Sequence, residues 1–222
     1  MPTLSRLDWG EIDYSLAYKQ QLALVDQRAR DEIKDTVVFC SHPPVVTLGR
    51  GATSDDLCGW TGNVVKTSRG GRATYHGPNQ LVIYPIIYLK KRDLHSYLRV
   101  LEKTTIEALA AYSIQSEIRT TESFDGQGRK LLLTGVWIDN KKVASIGIAV
   151  KKWVTYHGIA INLREDPLAF TGIKPCGFGT DVMTHLPVEV PDFETKWLDA
   201  LARVGEDQLF FVDGNGKFGD AR

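Results

Sequence analysis

The stretch "RGGRATYHGPNQLVIYPI", residues 69–86, holds the fold's main clue. Two glycines follow an arginine, a Tyr-His-Gly-Pro turn comes next, and then a long apolar run. Glycine lets a backbone approach something closely, so this stretch predicts a tight loop delivering polar groups to the mouth of a buried strand. The same pattern extends on both sides. "NVVKTS" reads as a strand entering the glycine motif, and "TVVFC" and "VVTLG" read as short β-branched strands around "SHPP". Farther on, "LLLTGVWI", "KVASIGIAV" and "WVTYHGIAINL" are separated only by "DNK" and "KK", which predicts an antiparallel meander.

Helices frame these strands. Residues 11–30 have helical periodicity, with Ile12, Leu16, Ala23 and Leu24 as the apolar positions. A second helix is expected from an Asp93 N-cap to about Tyr112, with Leu94, Leu98, Leu101, Ile106 and Leu109 on its apolar side. A third carries Phe193, Trp197, Leu201 and Val204 on one face. "DPLAF" and "GTDVMTHL" are expected to form short helices. The reading is a single α+β domain over residues 1–210, a mixed and largely antiparallel sheet flanked by helices, with a flexible tail at 211–222.

Composition narrows the function. The chain has 222 residues, with 27 basic and 27 acidic side chains and no formal net charge, so a broad nucleic-acid footprint is not expected. The longest apolar run, Leu81–Leu89, falls far short of the ~20 residues of a spanning helix. No secretory pattern opens the chain, and a cytoplasmic, monomeric protein is expected. The three cysteines, Cys40, Cys58 and Cys176, form no disulfide framework, and no zinc or Walker motif is present. No metal and no cofactor is expected.

Cys176, in "IKPCGFG", stands between Pro and Gly in a loop, where a thiol can meet a ligand. Cys40 ends an apolar strand and reads as packing, and Cys58 has no marking neighbours. A free thiol has a pKa near ~8.5 and needs a cation or base to ionise; the candidates are a lysine or one of His42, His76, His95, His157 and His185. Strand alternation puts Lys142 on a face with Ala144, Ile146 and Ile148, and Lys141 on the other. A lysine held out of water is a better base, while an ordinary hairpin lysine stays solvated. Glycines inside "SIG" (145–147) and "HGIA" (157–160) mark close approach by a ligand or another backbone.

Four segments in order, "HPPVVTLGR" (42–50), "RGGRATYHGPNQLVIYP" (69–85), "KVASIGIAVKKWVTYHGIAINL" (142–163) and "PCGFGTDVMT" (175–184), resemble the octanoyltransferases of lipoate biosynthesis, also called lipoyl(octanoyl) transferases. These belong to the superfamily of the biotin and lipoate protein ligases. The resemblance implies a biotin/lipoate protein ligase-like fold and a two-step acyl transfer. The donor would be octanoyl-acyl carrier protein. The acceptors would be lipoyl domains of 2-oxoacid dehydrogenase and glycine cleavage proteins. Cys176 matches the family nucleophile and Lys142 the family lysine. Arg69, Gly70, Gly71, Arg72, Ala73, Thr74, Tyr75 and His76, with Ser145, Ile146, Gly147, Gly158, Ile159 and Ala160, match segments lining the acyl site. Loop amides are expected to stabilise the oxyanion. The chain departs from the family's His-Gly-Pro-Gly-Gln at Asn79, a residue that tolerates left-handed backbone. Acidic partners would meet a rim of Lys141, Lys151 and Lys152. Rival readings are an ATP-dependent lipoate or biotin ligase on the same fold, a Cys-His hydrolase using His157 or His76, and a non-catalytic acyl-binding module.

Overall fold

The computed structural model describes residues 4–124, 126–174 and 182–206. Ten strands and three helices follow in the order β1 (Ser5–Glu11), α1 (Tyr14–Ala29), β2 (Thr36–Ser41), β3 (Val45–Leu48), β4 (Asn63–Lys66), β5 (Ala73–His76), β6 (Gln80–Ile86), α2 (Leu94–Ala110), β7 (Glu117–Phe124), β8 (Lys130–Ile138), β9 (Lys141–Lys151), β10 (Val154–Asn162) and α3 (Phe193–Glu206). They build two sheets rather than one: a seven-stranded sheet in the order β1-β2-β6-β10-β9-β8-β7, and a three-stranded sheet β4-β3-β5. Pairing is antiparallel except for β1 with β2 and β3 with β4. The meander β8-β9-β10 is as the sequence predicts. The stretch at 69–86 proves to be the junction of the two sheets, since β5 closes the small one and β6 enters the centre of the large one.

Every residue of β6 is buried, as expected for a central strand covered on both faces. Its Pro85 has no N–H for the ladder, and Thr155 compensates from β10: the Thr155 hydroxyl donates to Pro85 O at 2.6 Å and accepts from Ile87 N at 3.0 Å. Helices α2 and α3 cover one face of the large sheet, with Trp197, Leu101, Leu109, Phe39 and Ile83 in that core. Helix α1 covers the other, against Val38, Val82, Ile86 and Ala160. Asp13 caps α1 through Leu16 N, and Asp93 caps α2 through His95 N and Ser96 N. No helix among the described residues is long and apolar enough to cross a membrane.

The buried stripe of α1 differs from the apolar one expected. It consists of Tyr14, Ala17, Gln21 and Val25, while Leu16 is 49% exposed. Two of its four members are polar because α1 faces a polar seam. There His42 shares hydrogen bonds with Ile12 O and with Tyr84 Oη, both at 2.7 Å. His76 lies within reach of Gln80 Oε1 (3.2 Å) and stacks on Tyr14. Gln21 accepts the backbone N–H of His157 at 2.8 Å. The second departure is in the strands: β1 and β7 were not expected, and both are edges with many polar side chains. A third is at "DPLAF", residues 166–170, where 167–170 form turns rather than a short helix. Of the other expected helix, 179–186, the described part carries an isolated bridge from Met183 to Lys142. The tail 211–222 lies outside the described residues.

Asn79 does not adopt a left-handed backbone; its amide instead donates to Glu165 O at 2.8 Å, and its carbonyl accepts from Leu163 N and Arg164 N. The departure from the family pattern therefore adds a clamp on 163–165. Asn79→Gly removes that side-chain bond and loosens the backbone, and should lower the free energy of unfolding by about 1–2 kcal/mol in urea titration. An unchanged midpoint would contradict the clamp.

Burial holds three seam histidines below their ordinary range. For His42 burial outweighs the Ile12 carbonyl and Asp13; for His76 burial is joined by His42 and by the Arg69 charge; for His157 burial and the Arg69 charge bring the value to about 3. All three are neutral in the fold at pH 7. Below the unfolded value of about 6.5 the unfolded chain takes up protons that the fold refuses, so stability is complete above that pH and falls below it. Equilibrium unfolding should show a loss of at least about 2 kcal/mol from pH 7 to pH 5, the part that His157 alone supplies, with His42 and His76 adding in the same direction. A flat profile over that interval would contradict the seam as described.

Candidate active site

The loop at 69–72 is held between the two sheets by its own backbone. On the small-sheet side Arg50 N donates to Arg69 O (3.0 Å), Gly51 N to Gly71 O (3.0 Å) and Gly49 N to Arg72 O (3.2 Å). On the large-sheet side Gly70 N donates to Ile148 O at 2.9 Å. The glycines make this spacing attainable. A Cβ at Gly49 would lie 2.5 Å from Gly71 O, one at Gly147 3.2 Å from Gly70 O, and Gly71 itself has φ +82°. The close approach that the sequence predicted is in the first place backbone on backbone. It also commits the Gly70 amide to Ile148, so that donor does not serve an oxyanion.

The Arg69 side chain, 6% exposed, runs inward from this loop. Its Nη2 donates to Thr47 O (2.7 Å) and Thr47 Oγ1 (2.8 Å), Nε to Thr47 Oγ1 (3.2 Å), and Nη1 to Gly70 O (3.0 Å). Carbonyl and hydroxyl oxygens of Thr47 and Gly70 thus accept from all three nitrogens of a buried guanidinium. Ser68, one residue earlier, links the aromatic side chains of α1 and β10: it is 2.9 Å from both Tyr18 Oη and Tyr156 Oη and 3.4 Å from His157 Nε2. His157 sits at φ +56° inside β10, an uncommon conformation for a residue with a Cβ. Its imidazole also faces Tyr14 Oη at 3.4 Å.

A cavity of about 430 Å³ opens beside the loop, within the range of small-ligand sites. Of the residues expected from the sequence, Arg69, Gly70, Gly71, Thr74 and His76 line it from the loop and β5; Ser145, Ile146 and Gly147 line it from β9; and Gly158, Ile159 and Ala160 line it from β10. Three others do not. Arg72 turns away to Asp56, pairing with it at 2.6 Å; Ala73 is in the small-sheet core; and Tyr75 packs there too, donating to Asp166 at 2.7 Å. Alternation along β5 explains the split, since Thr74 and His76 share the face that Ala73 and Tyr75 do not. Sequence reasoning missed Tyr14, Tyr84, Leu94, Leu98 and Thr134 as lining residues. The signal for Tyr14 was its place one residue after the Asp13 cap, on the stripe of α1 that turns inward.

Lys142 is 2% exposed and Lys141 is exposed, so strand alternation separates them as expected. The face is different, however. A β-bulge interrupts the β8–β9 register: Val136 pairs with Ala144 but Trp137 with Lys142, leaving Val143 extra. Val143 and Ala144 both enter the core under α2, and Lys142 turns to the opposite face, shared with Ser145, over Gly135 on β8. Its backbone holds the chain beyond residue 181 through a parallel bridge to Met183 and a 3.0 Å bond from Thr184 N to Lys142 O. Cys176 lies outside the described residues. Cys40 is buried, with burial pushing its thiol far up, and Cys58 is exposed. Lys151 and Lys152 both pair with Asp26 of α1. No cluster of three or more His, Cys, Asp or Glu among the described residues is placed to hold a metal ion.

Comparison with known proteins agrees with this architecture. The octanoyltransferase of Bdellovibrio bacteriovorus is 42% identical over 203 residues, covering 85% of this chain and 93% of the relative. That of Geotalea uraniireducens is 38% identical over 209 residues, covering 93% and 92%. A crystal structure of lipoate-protein ligase A bound with ATP superimposes with a TM-score of 0.68 at 14% identity, over 91% of this chain and 85% of that one, a likeness of fold. Residues 13–202 match the family model of the lipoyl protein ligase A/B catalytic domain, and the chain belongs to that family.

Proposed function

We propose that this protein is an octanoyltransferase of lipoate biosynthesis. It moves an octanoyl group from octanoyl-acyl carrier protein to a lysine of a lipoyl domain, working as a monomer in the cytoplasm. The observation that carries the reading is Lys142. Lysine is seldom fully buried, yet this one is 2% exposed and is bonded through its backbone to Met183 and Thr184, seven and eight residues after Cys176 in the chain. The degree of identity to curated octanoyltransferases favours transfer over ligation. The neutral seam histidines also weigh against the Cys-His hydrolase: with a value of about 3, His157 is a poor base at pH 7.

In the first step the Cys176 thiolate attacks the donor's thioester carbonyl. A C–S bond to Cys176 forms, the donor's C–S bond breaks, and the carrier thiolate leaves and takes up a proton. In the second, the amine of the acceptor lysine attacks the Cys176 thioester, an amide forms, and the Cys176 thiol is released. Lys142 supports the thiolate as a cation, or takes the thiol proton as a neutral amine. The cavity beside Arg69–Gly71 holds the acyl chain between Ile146, Ile148 and Leu98. Burying seven carbons at ~0.8 kcal/mol each contributes roughly 5–6 kcal/mol to acyl binding, so two carbons more or fewer change affinity only about tenfold.

Incubation with octanoyl-acyl carrier protein, without ATP, should add one octanoyl group to the intact protein by mass spectrometry. Hydroxylamine should remove it and Cys176→Ala should abolish it. Transfer that proceeds with no adduct would exclude the covalent route, and an absolute need for ATP would favour the ligase. Lys142→Ala should slow adduct formation by about 10²-fold or more. A normal rate in that variant would remove the lysine from the mechanism.

A further inference from the structure

An amine that serves a thiol has to be held in one place, and the volume held open for Lys142 comes from a missing side chain. Gly135 sits in the interior of β8, where glycine weakens a strand and often marks a close approach. A Cβ built there would lie 2.4 Å from Lys142 Cε and 3.2 Å from Lys142 Nζ. Carbon atoms pack at about 3.5–4.0 Å, so the lysine stem fills the space that any side chain at 135 would need. The slot is rigid on both sides. Thr134 donates its hydroxyl to the buried Glu102 carboxylate of α2, and Val136 is in the core. It also adjoins the cavity: Gly135 pairs with Ser145, and both Ser145 and Thr134 line that cavity.

We propose that Gly135 is a positioning residue for acyl transfer: its bare α-carbon forms the slot that aims the Lys142 amine along the cavity wall. The β-bulge at Val143 turns the lysine to this face, and Gly135 leaves the face open to receive it. This inference rests on the role given to Lys142 above. A purely structural reason for glycine also exists, because the same Cβ would lie 2.4 Å from Ala144 O. The two make different predictions. The contact with Ala144 O is independent of the side chain at 142, whereas the slot matters only when a lysine occupies it.

A double-mutant cycle separates them, read by the rate of octanoyl-adduct formation and by the pH dependence of Cys176 alkylation with iodoacetamide in a Cys58→Ser background. Gly135→Ala should lower the rate by about 10²-fold, the scale of a 1 Å misplacement, and shift the alkylation profile as Lys142→Ala does. Added to Lys142→Ala, it should cost less than about threefold more and move the profile no further. An equal loss in both backgrounds, or an unchanged rate in the single variant, would overturn the slot. If Gly135→Ala does not fold alone but folds beside Lys142→Ala, the slot is supported. If neither folds, the Ala144 carbonyl accounts for the glycine and the slot is rejected. Full activity and an unshifted profile in Lys142→Ala would reject the lysine's role, and the slot with it. A slow Lys142→Ala beside a normal Gly135→Ala would reject the slot alone.

Discussion

A buried guanidinium joins the two sheets. Arg69 donates to Thr47 of the small sheet and to its own loop, while that loop's next amide bonds Ile148 of the large sheet. Burying a charge costs several kcal/mol unless its donors are satisfied, so the surroundings of Arg69 have to be built closely. Glycines at 49, 71 and 147 bring the backbones near enough to do so, and a Cβ at 49 would come within 2.8 Å of the guanidinium itself. The charge then acts on its neighbours, holding His76 and His157 neutral together with burial. Arg69 thus borders both the histidine seam under α1 and the cavity.

Irregularities in the strands, rather than the strands themselves, set the site. The bulge at Val143 puts two consecutive residues into the core and turns Lys142 to the opposite face. In β10 the left-handed His157 gives its N–H to Gln21 of α1. Gly158 then lets Ile83 O and Pro85 of β6 approach where a Cβ would collide. Bulges and left-handed residues cost free energy and persist where the surroundings fix them. Here they surround a cavity whose walls come from β5, β9, β10 and the start of α2.

The sequence was most readable where one period dominated. The meander β8-β9-β10, the fully buried β6, the Asp93 cap and the Phe193/Trp197/Leu201 face all follow from local pattern and burial. It was least readable where a buried position is polar or an exposed strand has no apolar face. Tyr14 and Gln21 look solvated in α1 until the histidine seam is known. β1 and β7 are edges whose Asp8, Glu117 and Arg119 obscure alternation. The loop residues of the site were legible through their glycines, but which of them reach the cavity depends on the alternation of β5. Lys142 was the right residue to separate from Lys141, on the wrong face, because a bulge leaves no mark in a run such as "KKVASIG". Cys176 lies outside the described residues, and its role remains with the proposal.

In the proposed function one cavity, bounded by the Arg69 loop and β9, receives the acyl chain while Lys142 attends the thioester. A crystal structure of the octanoyl-enzyme tests it directly. The predicted result is a chain attached to Cys176, running between Gly70–Gly71 and Ile146–Ile148, with its carbonyl within hydrogen-bond reach of Lys142 Nζ. An octanoyl chain lying outside that cavity, or a thioester remote from Lys142, would contradict it.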